Sequence, residues 1–146
     1  MNKRKKLGQH FLKSKTIAKS IVSNAKITRN DVVLEVGTGH GILIPYMCKN
    51  AKKVYSIESD RRLHISAKSN FDYSNLVLEH GDGFNSRHDF SIFISNLPYS
   101  KSRFAIEWLL QKKFSRAVIM VQAEFAEKLV SKEEKTIMIP TAQLKI

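Results

Sequence analysis

The sequence of 146 residues has little of what several protein classes require. Its single cysteine, Cys48, excludes a disulfide framework and a cysteine-based zinc site, and its five histidines show no metal-ligand spacing. No apolar run reaches the length that spans a bilayer, and the N-terminus lacks the apolar segment of a secretory signal. We therefore expect a single domain in a reducing, cytoplasmic setting, with neither a metal nor a membrane partner.

Acidic residues are absent from the first 30 positions, which contain nine Lys or Arg residues. This segment therefore carries +9 of the formal net charge of +12. The four basic residues at positions 3–6, taken alone, are also typical of a solubilising tail. The positive charge continues beyond it, at Lys13, Lys15, Lys19, Lys26 and Arg29. Positive charge that extends over 30 residues without an acidic residue favours contact with the phosphate backbone of RNA.

Glycine is scarce, yet three of the six glycines, Gly37, Gly39 and Gly41, directly follow the apolar segment 32–36. Glycine lets a chain turn sharply and approach a ligand closely, so the pattern predicts a nucleotide-type cofactor site between a strand and a helix. The third glycine comes one position earlier than in dinucleotide-binding turns. Glu35, just before the glycines, would repel a phosphate and attract a sulfonium or an amino group.

Two further carboxylates follow the next two predicted strands. Glu58 lies about 20 residues after the glycines, where an acidic residue is placed to bind ribose hydroxyls. Asp82 lies between Gly81 and Gly83 and could contact an adenine amine. Each carboxylate alone is typical of a solvated loop, but three at successive strand ends indicate one shared site.

The tetrapeptide Asn96-Leu97-Pro98-Tyr99 closes the apolar segment 90–95. An exocyclic amine on a planar base is a weak nucleophile because its lone pair is delocalised into the ring. The Asn side-chain carbonyl and a backbone carbonyl beside Pro98 could accept its two N–H groups, and the Tyr ring could stack on the base. The tetrapeptide also fits a simple exit from a strand into a turn.

The rest of the chain alternates between strand and helix patterns. Ser14 can cap a helix that runs to Ala25. Strands are predicted at about 32–36, 53–57, 75–80, 90–95 and 116–121, and helices at about 42–49, 61–70, 102–112 and 123–131. The apolar stripe of 102–112 is predicted to be core, and it comprises Phe104, Ile106, Trp108, Leu109 and Leu110. Repeated βα units predict an α/β fold with a mostly parallel sheet and helices on both faces.

The chain resembles the rRNA adenine N6,N6-dimethyltransferase family over about residues 4–132. The matching segments are Leu7–Leu12, Leu34–Gly41, Ile57-Glu58, Gly81-Asp82 and Asn96–Ser100. The resemblance implies a class I, Rossmann-like methyltransferase with S-adenosyl-L-methionine as methyl donor. The implied substrate is the N6 amine of rRNA adenines, two adjacent ones near the 3′ end of small-subunit rRNA. The implied partner is therefore the pre-ribosomal small subunit.

The resemblance also implies roles for individual residues. The donor-binding residues would be Gln9, His10, Leu12, Glu35, Gly37, Gly39, Glu58, Asp82 and Asn96. The first three would close over the donor, and the next three would lie under its methionine part. Glu58 would bind its ribose, Asp82 its adenine, and Asn96 would lie beside the methyl group. The catalytic group would be Asn96, Leu97, Pro98 and Tyr99.

The C-terminal end departs from the family pattern. Family members continue with further strands, a segment whose Phe helps to sandwich the target base, and usually a small helical domain. Here we divide the chain into a basic arm (1–13), a catalytic domain (14–135) and an unassigned tail (136–146). We expect the strand at 116–121 to lie at an unpaired sheet edge that promotes self-association. Because the missing segments remove one wall of the base pocket but none of the donor-binding residues, we also expect donor binding with weak or absent methylation.

Two other functions fit parts of the pattern. One is a non-catalytic nucleic-acid-binding protein that keeps the methyltransferase fold, which the intact Asn96–Tyr99 segment disfavours and the missing C-terminal segments favour. The other is a nicotinamide-dependent oxidoreductase, which the spacing of Gly37, Gly39 and Gly41 disfavours.

Overall fold

Strands and helices alternate along the chain in the computed structural model, which describes residues 11–130 and 143–145. The strands are β1 (Val32–Val36), β2 (Lys53–Glu58), β3 (Leu76–His80), β4 (Ile92–Ser95), β5 (Arg116–Ile119) and β6 (Gln143–Lys145). The helices are α1 (Lys15–Ala25), α2 (Ile44–Asn50), α3 (Arg61–Asn70), α4 (Ser102–Leu109) and α5 (Ala123–Val130). Short 3₁₀ turns cover Gly83–Asn85 and Tyr99–Lys101.

All neighbouring strands are parallel, and their order is β3-β2-β1-β4-β5-β6. Successive strand residues point to opposite faces, so Val33 joins one apolar core and Leu34 the other. The first core takes in α1 and α2, and the second takes in α4 and α5. The predicted α/β fold with helices on both faces is confirmed.

Local signals set the helix starts. Ser14 Oγ accepts the Ile17 N–H at 3.2 Å, which confirms the predicted cap of α1. Helix α2 begins at Ile44 and not at 42, because Gly41, with φ +77°, prolongs the turn. Pro45 lies in the first turn of α2, where its missing N–H costs no hydrogen bond.

The order of the strands creates a crevice between β1 and β4. The chain leaves β1 for β2 on one side, and later returns to place β4 on the other side. In such a parallel sheet the crevice beyond the carboxyl ends of these two strands is the usual ligand site. Val36 pairs with Ser95, so the residues that follow, Gly37 and Asn96, begin the two loops that border this crevice.

The expectation of an unpaired edge at β5 was wrong. Arg116, Ala117 and Val118 pair in parallel with Gln143, Leu144 and Lys145, so β6 forms the edge of the sheet. The unassigned tail thus contributes a three-residue strand. The structural basis for self-association through β5 is therefore lost, because its backbone hydrogen-bonding groups meet a neighbouring strand.

The prediction for α4 was partly wrong. The helix ends at Leu109, and Ile106 and Leu109 are buried as expected, but Phe104 and Leu110 are 51% and 45% exposed. One face of a short helix can contact the sheet, and Ala105, Ile106 and Leu109 already fill that face. Phe104 lies outside this face, and its ring stays half-exposed while it contacts the ring of Phe84.

Metal sites, membrane-spanning helices and reactive thiols are not found in the part of the chain that the structure describes. Within residues 11–130 and 143–145 there is no group of three His, Cys, Asp or Glu residues that could hold a metal ion. No helix among these residues is long and apolar enough to cross a bilayer. Cys48 is a buried free thiol. Burial, together with the nearby Glu35 carboxyl group, raises its pKa to about 12, so the thiol is not a nucleophile at neutral pH.

Candidate active site

A cavity of about 310 Å³ lies at the carboxyl ends of the central strands. Nine of the residues predicted from the sequence line it, namely Leu12, Glu35, Gly37, Gly39, Glu58, Asp82, Asn96, Leu97 and Pro98. Tyr99 is half-buried but is not among the lining residues. Gln9 and His10 lie outside the described residues. The structure thus brings most of the predicted site into one cavity.

The glycine loop after β1 is fixed to β2. Gly37 and Gly39 adopt φ angles of +89° and +57°, which residues with side chains rarely take. The Gly37 N–H donates to the Ile57 carbonyl at 2.8 Å, and the Gly39 N–H donates to Glu58 Oε2 at 2.8 Å. A Cβ at Gly39 would lie 3.6 Å from the Phe11 ring, so the segment before α1 already covers this loop.

Glu58 is a buried carboxylate at the end of β2. Its second oxygen, Oε1, accepts the Asp60 N–H at 2.8 Å, so both oxygens are held by backbone donors. Each oxygen keeps a further lone pair, which suits a hydroxyl donor such as a ribose. The side chain is therefore oriented before any ligand enters, as the predicted ribose contact requires.

Glu35 lies beneath the glycine loop, where it is buried and hydrogen-bonded to Ser56 of the neighbouring strand β2. Ser56 Oγ donates to Glu35 Oε2 at 2.5 Å, and the same hydroxyl lies 2.6 Å from Thr38 Oγ1. Burial raises the pKa of Glu35 to about 8; the Ser56 hydrogen bond opposes this shift, and the charge of Glu58 adds to it. A cationic ligand group beside Glu35 would offset the cost of ionising it.

The raised pKa of Glu35 predicts a pH-dependent stability. An unfolded glutamate ionises near its ordinary pKa, whereas the folded protein keeps Glu35 protonated up to about pH 8. The folded state binds the extra proton, so the free energy of unfolding should fall by roughly 2–5 kcal/mol as pH rises from about 5 to 8. Urea denaturation at several pH values measures this fall. Glu35→Gln keeps an acceptor for Ser56 and should remove this fall of the free energy of unfolding with pH. An unchanged pH dependence in that variant would show that Glu35 does not cause it.

The third predicted carboxylate, Asp82, is exposed at the rim of the cavity. Its Oδ1 accepts the Phe84 N–H at 2.9 Å and so begins the 3₁₀ turn at Gly83–Asn85. The Phe84 carbonyl in turn accepts Trp108 Nε1–H at 2.8 Å. Phe84 lines the cavity with Ile57 and Leu63, and these apolar walls beside a carboxylate suit a flat ring that carries an amino group.

The segment after β4 forms the opposite wall. Asn96, Leu97 and Pro98 line the cavity, and Leu97 Cδ2 lies 3.5 Å from where a Cβ on Gly37 would be. The Pro98 carbonyl accepts the Lys101 N–H at 2.8 Å within the following turn. The Leu97 carbonyl is therefore the better partner for Asn96 in accepting two amine hydrogens.

Several lining residues were missed by the sequence reasoning: Phe11, Thr38, Leu63, Phe84 and Lys101. Phe11 belongs to the segment Leu7–Leu12 that matches the family, and Thr38 lies between two glycines of the predicted cofactor loop. The place of both residues in the cavity could therefore have been predicted from the sequence. Leu63 and Phe84 look like ordinary core residues in the sequence. Their place at the cavity follows only from the packing of α3 and the 3₁₀ turn.

Comparison with known sequences gives a consistent result. The sequence model of the family described as ribosomal RNA adenine dimethylase matches residues 1–138. A probable ribosomal RNA small subunit methyltransferase A of Methanococcus maripaludis is 39% identical over 138 residues, which are 92% of this chain and 52% of that protein. Its counterpart in Pyrococcus abyssi is 38% identical over 128 residues, 87% of this chain and 48% of that protein. The chain spans about half the length of these relatives.

Solved structures share the fold. A dimethyladenosine transferase from Plasmodium falciparum has a TM-score of 0.77 at 35% identity, over 84% of this chain and 46% of that one. The 23S rRNA methyltransferase ErmE has a TM-score of 0.77 at 25% identity, over 86% of this chain and 52% of that one. The fold is thus that of class I methyltransferases, and the nicotinamide alternative gains no support.

Proposed function

Because the chain belongs to the ribosomal RNA adenine dimethylase family, we propose that it transfers methyl groups from S-adenosyl-L-methionine to the N6 amine of adenines in rRNA. One observation carries the proposal: Asn96, Leu97 and Pro98 share a cavity with the glycine loop and Glu58. The hydrogen-bond acceptors for the target amine, at Asn96 and Leu97, thus lie across the cavity from the glycine loop and Glu58, which suit a nucleoside-containing methyl donor. We further propose two adjacent adenines near the 3′ end of small-subunit rRNA as the target, with cytoplasmic pre-ribosomal particles as the partner.

The bound donor would supply an electrophilic methyl group. As the nitrogen–methyl bond forms, the sulfur–methyl bond would break, S-adenosylhomocysteine would leave, and the methylated amine would release one proton to solvent. The ribose is assigned to Glu58, the adenine to Asp82 and the apolar walls, and the methionine part to Glu35 and the glycine loop. Gln9, His10 and Leu12 are assigned to closing the cavity, and Leu12 does line it. The target adenine leaves its stack at a cost of a few kcal/mol, and Tyr99 is assigned to stacking on it.

The chemistry asked of the protein is mainly positioning. The Asn96 side-chain oxygen and the Leu97 carbonyl accept the two hydrogens of the target amine, which localises the nitrogen lone pair towards the methyl group. Holding nucleophile and electrophile in line removes much of the entropy cost of the reaction. These cavity-lining amine acceptors favour an enzyme over a protein that only binds nucleic acid.

The test is mass analysis of rRNA nucleosides after incubation with donor labelled in its methyl group. It uses the 146-residue chain and, in parallel, an extended chain joined to the C-terminal half of the Methanococcus maripaludis relative. We expect label on adenine N6 in small-subunit rRNA, faster with the extended chain. Donor binding by both forms without label on any adenine would contradict the proposal.

The basic segment predicts a salt-dependent affinity for RNA. The five basic residues at positions 13–29 are all exposed, and helix α1 has no acidic residue in its first turn. Each phosphate neutralised adds about −0.7 to −0.9 to the log–log salt slope, so several contacts give roughly −3 to −6. Titration of RNA at increasing salt measures this slope. Deleting residues 1–6 should flatten it and leave donor binding intact; an affinity independent of salt would remove RNA from the partners.

A further inference from the structure

Two side chains at the start of α4, Lys101 and Phe104, have no role so far. Lys101 ends the 3₁₀ turn and lines the cavity, and it is exposed. Phe104 follows three residues later, a spacing that places both side chains on the same side of a helical turn. Its half-exposed ring meets the ring of Phe84 edge to face, with centroids 5.1 Å apart. Lys101 lines the cavity, and Phe104 lies against Phe84, which also lines it; we refer to Lys101 and Phe104 together as the lip.

The charge of Lys101 suits an anion outside the donor. Lys101 forms no ion pair with a carboxylate among the residues that the structure describes. The three carboxylates of the cavity already accept other hydrogen bonds: Glu35 from Ser56, Glu58 from two backbone N–H groups, and Asp82 from Phe84. The sulfonium of the donor repels an ammonium group, and the donor's own carboxylate belongs to its methionine part, which is assigned to Glu35 and the glycine loop. The lysine is therefore best matched to a phosphate of the strand that carries the target.

The exposed Phe104 ring suits a base. An aromatic ring that is half-exposed beside a cationic side chain is the combination that binds single-stranded nucleic acid, by stacking and by charge. The edge-to-face contact with Phe84 leaves a face of the Phe104 ring free of that neighbour, since the two planes are 88° apart. Trp108 supports Phe84 from a second side, with centroids 5.2 Å apart.

We propose that Lys101 and Phe104 form a strand-holding lip, in which Lys101 contacts a phosphate next to the target nucleotide and Phe104 stacks on a neighbouring base. This proposal rests on the proposed function, and it adds the residues that bind single-stranded RNA next to the target adenosine. It also explains why an apolar residue stays exposed at the start of α4.

Arg103 offers a matched control on the same helix. Its Nε donates to Glu107 Oε1 at 2.9 Å, and both side chains are largely exposed. Arg103 does not line the cavity. Arg103→Gln removes the same charge as Lys101→Gln, from a position one residue before Phe104 but outside the lip. A general loss of positive charge would affect both variants equally.

The experiment measures binding of a short unpaired oligoribonucleotide with a central adenosine to the 146-residue chain, saturated with S-adenosylhomocysteine. Lys101→Gln should reduce the magnitude of the log–log salt slope by about 0.7, and Lys101→Arg should restore it. Phe104→Leu keeps an apolar contact with Phe84 and should weaken binding by about 5- to 100-fold, with little change in slope. Arg103→Gln should leave both quantities near those of the unmutated chain.

The outcomes separate the lip from the proposed function. RNA binding by the unmutated chain that neither Lys101→Gln nor Phe104→Leu alters would overturn the lip alone. Weaker donor binding by Lys101→Gln with an unchanged salt slope would also overturn it, because the lysine would then serve the donor. An unmutated chain that binds donor but no RNA would overturn both. Equal melting temperatures of the variants exclude a folding defect as the cause.

Discussion

Replacing Asn96 with alanine is expected to lower the rate of adenine methylation by about 100-fold or more, while donor binding stays within a few-fold. The side chain lies in the cavity wall directly after β4, opposite the glycine loop. Alanine removes one of the two acceptors that hold the amine hydrogens, so the nitrogen lone pair stays delocalised into the base. Single-turnover transfer of labelled methyl by the extended chain measures the rate.

Asn96→Asp supplies the matched control. A carboxylate has nearly the same shape as the amide and also accepts hydrogen bonds, so this variant should retain more activity than Asn96→Ala. Equal activity of the alanine variant and the unmutated chain would show that Asn96 does not hold the target amine. A parallel loss of donor binding would show that Asn96 chiefly holds the donor and not the target amine.

Replacing Gly39 with valine is expected to abolish the stabilisation that the donor gives. S-adenosylmethionine at about 100 times its Kd should raise the melting temperature of the unmutated chain by roughly 5–10 °C. Gly39 has φ +57°, which a β-branched residue scarcely tolerates, and its N–H donates to Glu58. Valine therefore distorts the loop and frees the carboxylate assigned to the ribose. Thermal melts with and without donor measure the effect.

Gly39→Ala tests the physical reason for that loss. Alanine is less restricted at positive φ than valine, and among the described residues a Cβ there meets only the Phe11 ring, at 3.6 Å. We therefore expect a smaller but distinct donor-induced shift for alanine. Cooperative melting of both variants without donor shows that they fold. A full shift in the valine variant would mean that the donor does not lie against the glycine loop.

The central part of the fold was predictable because several local signals agree there. Buried parallel strands appear in the sequence as apolar runs, and the strand at Val32–Val36 ends in glycines that only a tight turn explains. Ser14 marked a helix start in the same local way. Since parallel strands present their carboxyl ends together, the positions of Glu35, Glu58 and Asn96 at strand ends also predicted that they meet.

The errors lie where tertiary packing decides. No local pattern showed that Gln143–Lys145 pairs with β5, because a three-residue strand has almost no periodicity. The stripe of α4 was apolar along its length, yet the sheet covers only one of its faces and leaves Phe104 exposed. Lys101 and Leu63 reach the cavity through the geometry of turns and neighbouring helices, which sequence spacing does not encode.

The most direct test of the central claim, that the cavity between β1 and β4 holds a methyl donor, is calorimetric titration of the 146-residue chain. Separate titrations use S-adenosylmethionine, S-adenosylhomocysteine and NAD. We expect one site per chain for the first two ligands and none for NAD, since the early third glycine does not suit a pyrophosphate. Binding of NAD, or no binding of either methionine-derived ligand by the folded chain, would contradict it.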